Sequence, residues 1–129
     1  MFDTLTQPCR TGTGVNGRVP GMQIIAGAGG FTAPPEGGRF YLEHLRVPNL
    51  SVGTYSVPVG GADTQRPHAE DEIYVVTAGR ARFVAEDGQA QVEPGTVIFV
   101  PAGEDHRFID VTEDLAVLVI FGPAEGSAA

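Results

Sequence analysis

From residue 39 onward, apolar and polar positions alternate in short runs. Turn-forming residues separate these runs, among them Pro48-Asn49, Asp87-Gly88 and Glu93-Pro94-Gly95. Alternation with a period of two is typical of β-strands that bury one face, and no segment keeps a helical period for three turns. The pattern predicts eight or nine short strands between residues 39 and 123. An all-β domain of this kind closes into a single small β-barrel or jelly roll.

The beginning of the chain has a different pattern. Residues 1–38 are rich in glycine and contain one short apolar patch, MQIIA, at residues 22–26. We predict an extended N-terminal arm at 1–38, the barrel at 39–123 and a flexible tail at 124–129. Because a barrel leaves exposed strand edges, the apolar patch favours a homodimer in which the arm adds a strand to the partner.

Charge and composition exclude several function classes. The chain of 129 residues carries a formal net charge of −8, which disfavours binding to nucleic acid and to anionic membranes. Cys9 is the single cysteine, so a disulfide within the chain and a cysteine-based zinc site are excluded. The start of the chain has no leader pattern and the apolar runs are short, so we expect a cytoplasmic protein.

Two stretches carry candidate metal ligands. In an extended segment, His68, Glu72 and Tyr74 share one face, and His106 shares a face with Phe108 and Asp110 on a later strand. Two histidines and one carboxylate form a ligand set that suits Fe(II), Mn(II), Ni(II) or Zn(II). Such a set leaves coordination positions open for substrate or water.

The spacing of these residues resembles the two motifs of the cupin family. The matching positions of the first motif are Gly60, His68, Glu72 and Gly79, and those of the second are Gly95, Pro101, Gly103, His106 and Asp110. The glycines fall where a turn needs a positive φ or a close approach of the backbone. The resemblance covers roughly residues 50–121 and is most specific in PGTVIFVPAGEDHRF.

The resemblance implies one divalent metal ion per barrel, with Fe(II) favoured and Ni, Mn or Zn as alternatives. His68, Glu72 and His106 would hold it. The implied function is a metal-dependent enzyme acting on a small oxygen-rich organic substrate, by dioxygenase-like or by isomerase, lyase or rearrangement chemistry. One alternative is a non-catalytic module that binds a small ligand. Another is a metal-independent sugar-nucleotide epimerase or isomerase, which the few basic residues disfavour.

The chain departs from the family pattern at Arg66, which stands where the family has its first histidine. A guanidinium remains charged and cannot bind a metal. Three interpretations follow: Gln65 supplies a fourth ligand through its side-chain oxygen, or Arg66 points outward and leaves a three-residue site, or the site binds no metal. Tyr74 and Arg66 are candidate substrate contacts.

Other polar residues near the motifs have simpler interpretations. Glu70 and Asp71 are expected to be solvated charges at the rim of the barrel. His44 is expected to be a structural or surface histidine, because no motif surrounds it.

Overall fold

The computed structural model describes residues 21–35 and 37–128. The strands in this part of the chain are β1 (Phe40–Val47), β2 (Leu50–Val57), β3 (Asp71–Ala85), β4 (Gly88–Val92), β5 (Val97–Val100) and β6 (His106–Gly122). They pair in the order β1-β2-β6-β3-β4, with β5 also beside β3. Every pairing is antiparallel. The predicted all-β fold is confirmed.

The prediction of eight or nine strands was wrong, because the described residues form six. The runs EIYVVTAG and RARFVA lie in the single strand β3, and EDHRFIDV and LAVLVIFG lie within β6 and the turn before it. The two strands pair along most of their length, with register shifts between Val76 and Arg82. Gly79, at φ 86°, lies within this interval. The pair therefore bends where the sequence pattern suggested that strands end.

No described residue forms a helix, so this part of the chain contains no helix that could cross a membrane.

The core consists of the side chains on the inner face of the curved sheet. Its largest fully buried apolar members are Tyr55, Tyr74, Phe108, Phe121 and Leu115. Tyr74 and Phe108 meet edge to face with ring centroids 5.0 Å apart, a favourable arrangement for aromatic rings. The polar residues of the barrel interior pack against this apolar cluster.

Segments outside the predicted barrel also contact it. The backbone N–H of Gly29 donates to Oγ1 of Thr54 at 2.8 Å, and that of Thr32 donates to Oγ of Ser56 at 3.1 Å. At the other end, Ala124 is buried and the N–H of Ala128 donates to a side chain of the loop before β3. The first 20 residues of the predicted arm lie outside the described part of the chain. The division at residues 38 and 123 stays a prediction.

The bend in β3 provides a test of this architecture. A Cβ at Gly79 would collide with the backbone oxygen of Asp114 and lie 2.7 Å from that of Glu113. We expect Gly79→Ala to lower the free energy of unfolding by about 2–5 kcal/mol. Left-handed backbone strain contributes about 1–2 kcal/mol and the forced contact about 1–3 kcal/mol. Urea denaturation monitored by circular dichroism would measure the loss.

Gly95 supplies the matched control. Its φ is 95°, and a Cβ there would meet no heavy atom within 4 Å. Gly95→Ala should therefore show only the backbone strain, about 1–2 kcal/mol. Equal losses for the two variants would contradict the close packing of β3 against β6 at this bend.

Candidate metal centre

Three segments bring the polar side chains of the barrel interior together. Glu72 lies near the start of β3, His106 begins β6, and His68 lies in the loop before β3. In the sheet ladders, Glu72 pairs with Val100 and Phe121, whereas His106 pairs at the far end of β3. Glu72 and His106 are therefore not ladder neighbours. Their side chains meet because the sheet curls around its own interior.

His68, Glu72 and His106 are buried, and each offers a ligand atom within 4.8 Å of the others. Nε2 of His106 lies 3.1 Å from Oε1 of Glu72, and Nε2 of His68 lies 3.9 Å from the same oxygen. The ligands of a first-row metal, bound at about 2.0–2.2 Å, are separated by about 3–4 Å. This group could therefore hold a divalent metal ion after small adjustments, and the ligand roles stay predictions.

The Gln65 side chain adds an oxygen to this group. Its Oε1 lies 3.1 Å from Nε2 of His68 and accepts a hydrogen bond of 3.1 Å from the Tyr74 hydroxyl. Arg66, the next residue, is exposed and lies outside the cluster. A positive charge is thus kept away from the place where a cation would bind. The geometry is compatible with Gln65 as a fourth ligand and with a three-residue set.

The carboxylate of Glu72 supplies the negative charge of the site. Both of its oxygens are buried and receive no hydrogen bond of good geometry from a described residue, although His106 lies close. A buried carboxylate without donors is costly, and a bound cation would offset that cost. Burial also raises the pKa of Glu72, while the neighbouring His106 and Tyr74 oppose this effect. The donors present therefore fit a metal ion.

The two histidines differ in charge. Burial, with smaller contributions from the charges of His106 and Arg39, lowers the pKa of His68 to about 3, so its ring is neutral at physiological pH. Burial also acts to lower the pKa of His106, but the contacts with Glu72 and with the Glu104 carbonyl outweigh it and the pKa is raised. A neutral imidazole is the form that binds metals.

The orientation of His106 is set by its other ring nitrogen. Nδ1 lies 2.8 Å from the backbone oxygen of Glu104, which can only accept, so Nδ1–H is the donor. When the ring is neutral, the lone pair of Nε2 therefore faces Glu72. Nε2 of His68 lies 3.1 Å from Oε1 of Gln65 and 3.9 Å from Oε1 of Glu72, so both rings direct Nε2 into the cluster. Nδ1 of His68 lies 4.0 Å from Oε2 of Glu125, which is beyond hydrogen-bond distance. Outer partners of this kind orient metal-binding histidines.

Two acidic residues near the site were missed by the sequence reasoning. Asp63 is buried and accepts hydrogen bonds from Gln65 and from the Tyr55 hydroxyl. One sequence signal could have identified Asp63. It lies two residues before Gln65, and in an extended segment residues two apart share a face. Glu125 comes from the predicted tail, and no motif in the sequence indicated that it lies near His68.

Two expectations for other residues were wrong. Glu70 is 2% exposed and accepts a hydrogen bond of 3.0 Å from the N–H of Ala128, so it is not a solvated rim charge. The chain after β6 returns over the loop before β3 and covers it. Asp110 does not share the inward face of His106, because its φ of 50° interrupts the alternation and leaves it exposed. Asp71 is exposed as expected.

The structural interpretation of His44 is confirmed. It is buried, and its Nε2 lies 2.6 Å from Oγ1 of Thr54, outside the cluster.

Comparison with known proteins supports the fold and the motifs. The family model of the Cupin domain matches residues 53–121. An uncharacterized protein of Streptomyces coelicolor is 48% identical over 85 residues, which cover 66% of this chain and 81% of that protein.

Solved structures show the same fold. The protein TT1209 from Thermus thermophilus matches with a TM-score of 0.64 and 20% identity, covering 72% of this chain and 90% of that one. The DMSP lyase DddQ from Ruegeria pomeroyi matches with a TM-score of 0.56 and 26% identity. That match covers 59% of this chain and 39% of the lyase.

Proposed function

The chain belongs to the Cupin domain family, and from that premise we propose that it is a metal-dependent enzyme acting on a small, oxygen-rich organic acid. The observation that carries this proposal is the buried group of His68, Glu72 and His106, whose ligand atoms lie within 4.8 Å of one another. We further propose lyase or isomerase chemistry in preference to a dioxygenase reaction, because a tyrosine hydroxyl stands beside the group.

The donors favour a first-row divalent ion. Two imidazole nitrogens, one carboxylate and the Gln65 oxygen form a mixed nitrogen and oxygen set, which suits Fe(II) and also Ni(II), Mn(II) or Zn(II). A bound ion would polarise a carbonyl or carboxylate oxygen of the substrate. The protein's own part is to hold this donor set buried, with His68 neutral.

Tyr74 is the candidate acid of the reaction. Its hydroxyl lies 3.1 Å from Nε2 of His106 and 3.1 Å from Oε1 of Gln65. Burial, together with the nearby Glu72 and Asp63, raises the pKa of Tyr74 far above its usual value, so the hydroxyl keeps its proton. It can therefore donate a hydrogen bond to an oxygen that gains negative charge, and a proton only to a strongly basic centre such as a carbanion, because the raised pKa makes it a weaker acid. The structural likeness to a DMSP lyase agrees with this reaction class.

A buried cation supports an acidic substrate. Arg39 is 9% exposed, and its guanidinium carbon lies 6.0 Å from the centre of the Tyr55 ring. Its charge is among the smaller contributions that lower the pKa of His68. In a chain with a net charge of −8, this local positive charge favours an anionic group near the donor set.

Substitution of the three metal-site residues tests the proposal. His68→Ala, Glu72→Ala and His106→Ala should each lower the affinity for Ni(II) or Zn(II) at least about 100-fold. This exceeds the roughly 10–100-fold loss typical of an outer partner. Calorimetric titration of the purified full-length protein, with circular dichroism to confirm folding, would measure it.

Asp71→Ala is the matched control, because Asp71 is acidic and adjacent to Glu72 in sequence but exposed. It should keep the wild-type affinity. Gln65→Ala distinguishes the four-ligand set from the three-ligand set. A large loss of metal affinity would make Gln65 a ligand, and little change would leave His68, Glu72 and His106 as the ligands. If the wild-type protein binds neither Ni(II), Zn(II) nor Fe(II), the metal-dependent function is contradicted and a non-catalytic binding module is favoured.

Tyr74→Phe tests the reaction class. The variant should retain its metal but lose about 10²–10⁴-fold in turnover, because only the acid is removed. Proton NMR would follow the conversion of DMSP and of a panel of small hydroxy and keto acids by the Fe(II)-loaded protein, with and without oxygen. Turnover that requires oxygen and survives Tyr74→Phe would contradict the lyase or isomerase assignment and favour a dioxygenase.

We also propose a homodimer that uses the apolar patch of the arm. Met22 and Ile24 are 75% and 85% exposed, so these side chains do not pack on their own barrel. Met22→Glu combined with Ile24→Glu should shift the protein from dimer to monomer in light scattering, because the charges cannot be buried. Phe99→Glu is the control, since Phe99 is also exposed, at 61%, but lies on β5. If Phe99→Glu dissociates the dimer and the Met22/Ile24 double variant does not, the dimer contact lies on β5 instead.

A further inference from the structure

Asp63 holds a central position behind the candidate metal centre. The residue is 6% exposed, and its carboxylate accepts four hydrogen bonds. The donors are the Tyr55 hydroxyl at 2.6 Å, the backbone N–H of Phe108 at 2.8 Å, and both the side-chain and the backbone N–H of Gln65 at 2.9 Å and 3.4 Å. Asp63 thus connects β2, the loop before β3 and the start of β6.

The carboxylate determines which end of the Gln65 amide faces the metal group. An ionised carboxylate only accepts hydrogen bonds, so the NH₂ group of Gln65 must face Asp63. The amide oxygen then points in the opposite direction, toward Nε2 of His68 and the Tyr74 hydroxyl. A rotated amide would bring its oxygen against the carboxylate and present N–H groups to a cation. Both contacts would be unfavourable.

We propose that Asp63 is a positioning residue that holds the Gln65 oxygen toward the metal group and so makes Gln65 the fourth ligand. This inference rests on the proposed metal-dependent function and assigns it one more residue. Asp63 does not touch the metal; it acts through the orientation of an amide that could otherwise bind in either direction. The Asp63 oxygen that accepts from the Gln65 NH₂ group is therefore the feature that matters.

Removal of the accepting carboxylate tests the inference. In Asp63→Ala, nothing at this position accepts from the Gln65 NH₂ group, so the amide is free to turn its N–H groups toward the metal. We expect Ni(II) affinity to fall about 10–100-fold, as when an outer partner of a ligand is lost. Calorimetric titration of the full-length protein would measure it, with thermal unfolding as the check on folding.

The double variant Asp63→Ala/Gln65→Glu should recover most of the lost affinity. Both ends of the new side chain are oxygens, so it presents one to the metal in either orientation. Gln65→Glu alone should bind more weakly than the double variant, because it sets two carboxylates against each other. The rescue does not repair the bonds to Tyr55 and Phe108, so a merely structural role for Asp63 would leave the double variant as weak as Asp63→Ala.

A second measurement does not depend on how the variants fold. Zn(II) added to the wild-type protein should shift the ¹³C resonance of the Gln65 side-chain carbonyl, while the Gln65 NH₂ protons remain slow to exchange because they stay bonded to Asp63. An unshifted carbonyl on a protein that binds Zn(II) would overturn the inference alone. Wild-type affinity in a folded Asp63→Ala would do the same. A wild-type protein that binds no metal would overturn both the inference and the proposed function.

Discussion

The antiparallel pairing of β3 with β6 is the constraint on which the rest of the structure depends. The two strands run together from Asp71 opposite Gly122 to Ala85 opposite His106, and they bend at the register shifts around Gly79. A straight pair of this length would place Glu72 and His106 far apart. Because the pair curls, their side chains meet inside the barrel at 3.1 Å.

Burial gives this meeting point its chemical character. The apolar core beneath it removes water from His68 and Tyr74, and both favour their neutral forms. A neutral imidazole is suited to a cation, and a tyrosine that keeps its proton is suited to donate a hydrogen bond. Desolvation acts against the carboxylate of Glu72, and a bound cation would offset that cost.

The family pattern and the individual chain contribute different parts of the site. The two histidines and Glu72 occupy motif positions shared with the Cupin domain family. The chain departs from the pattern at Arg66, which stands at the position of the usual first histidine and is exposed, whereas Asp63 and Gln65 lie at positions that the motif leaves open. The loop thus turns a cation outward and an amide oxygen inward. The structural likeness to TT1209, at 20% identity, supports the fold alone.

The sequence by itself determined the fold class and the three motif residues of the site. Period-two alternation reports which side chains share a face, and the glycine, proline and histidine spacing marks the turns that hold them. It could not determine the strand count, because a bend in a paired strand and a turn that ends one use the same residues, as Gly79 shows. Nor could it identify Asp63 or Glu125, or the burial of Glu70. Their roles depend on distances across the barrel and on the returning chain end, and such distances exist only after the sheet has closed.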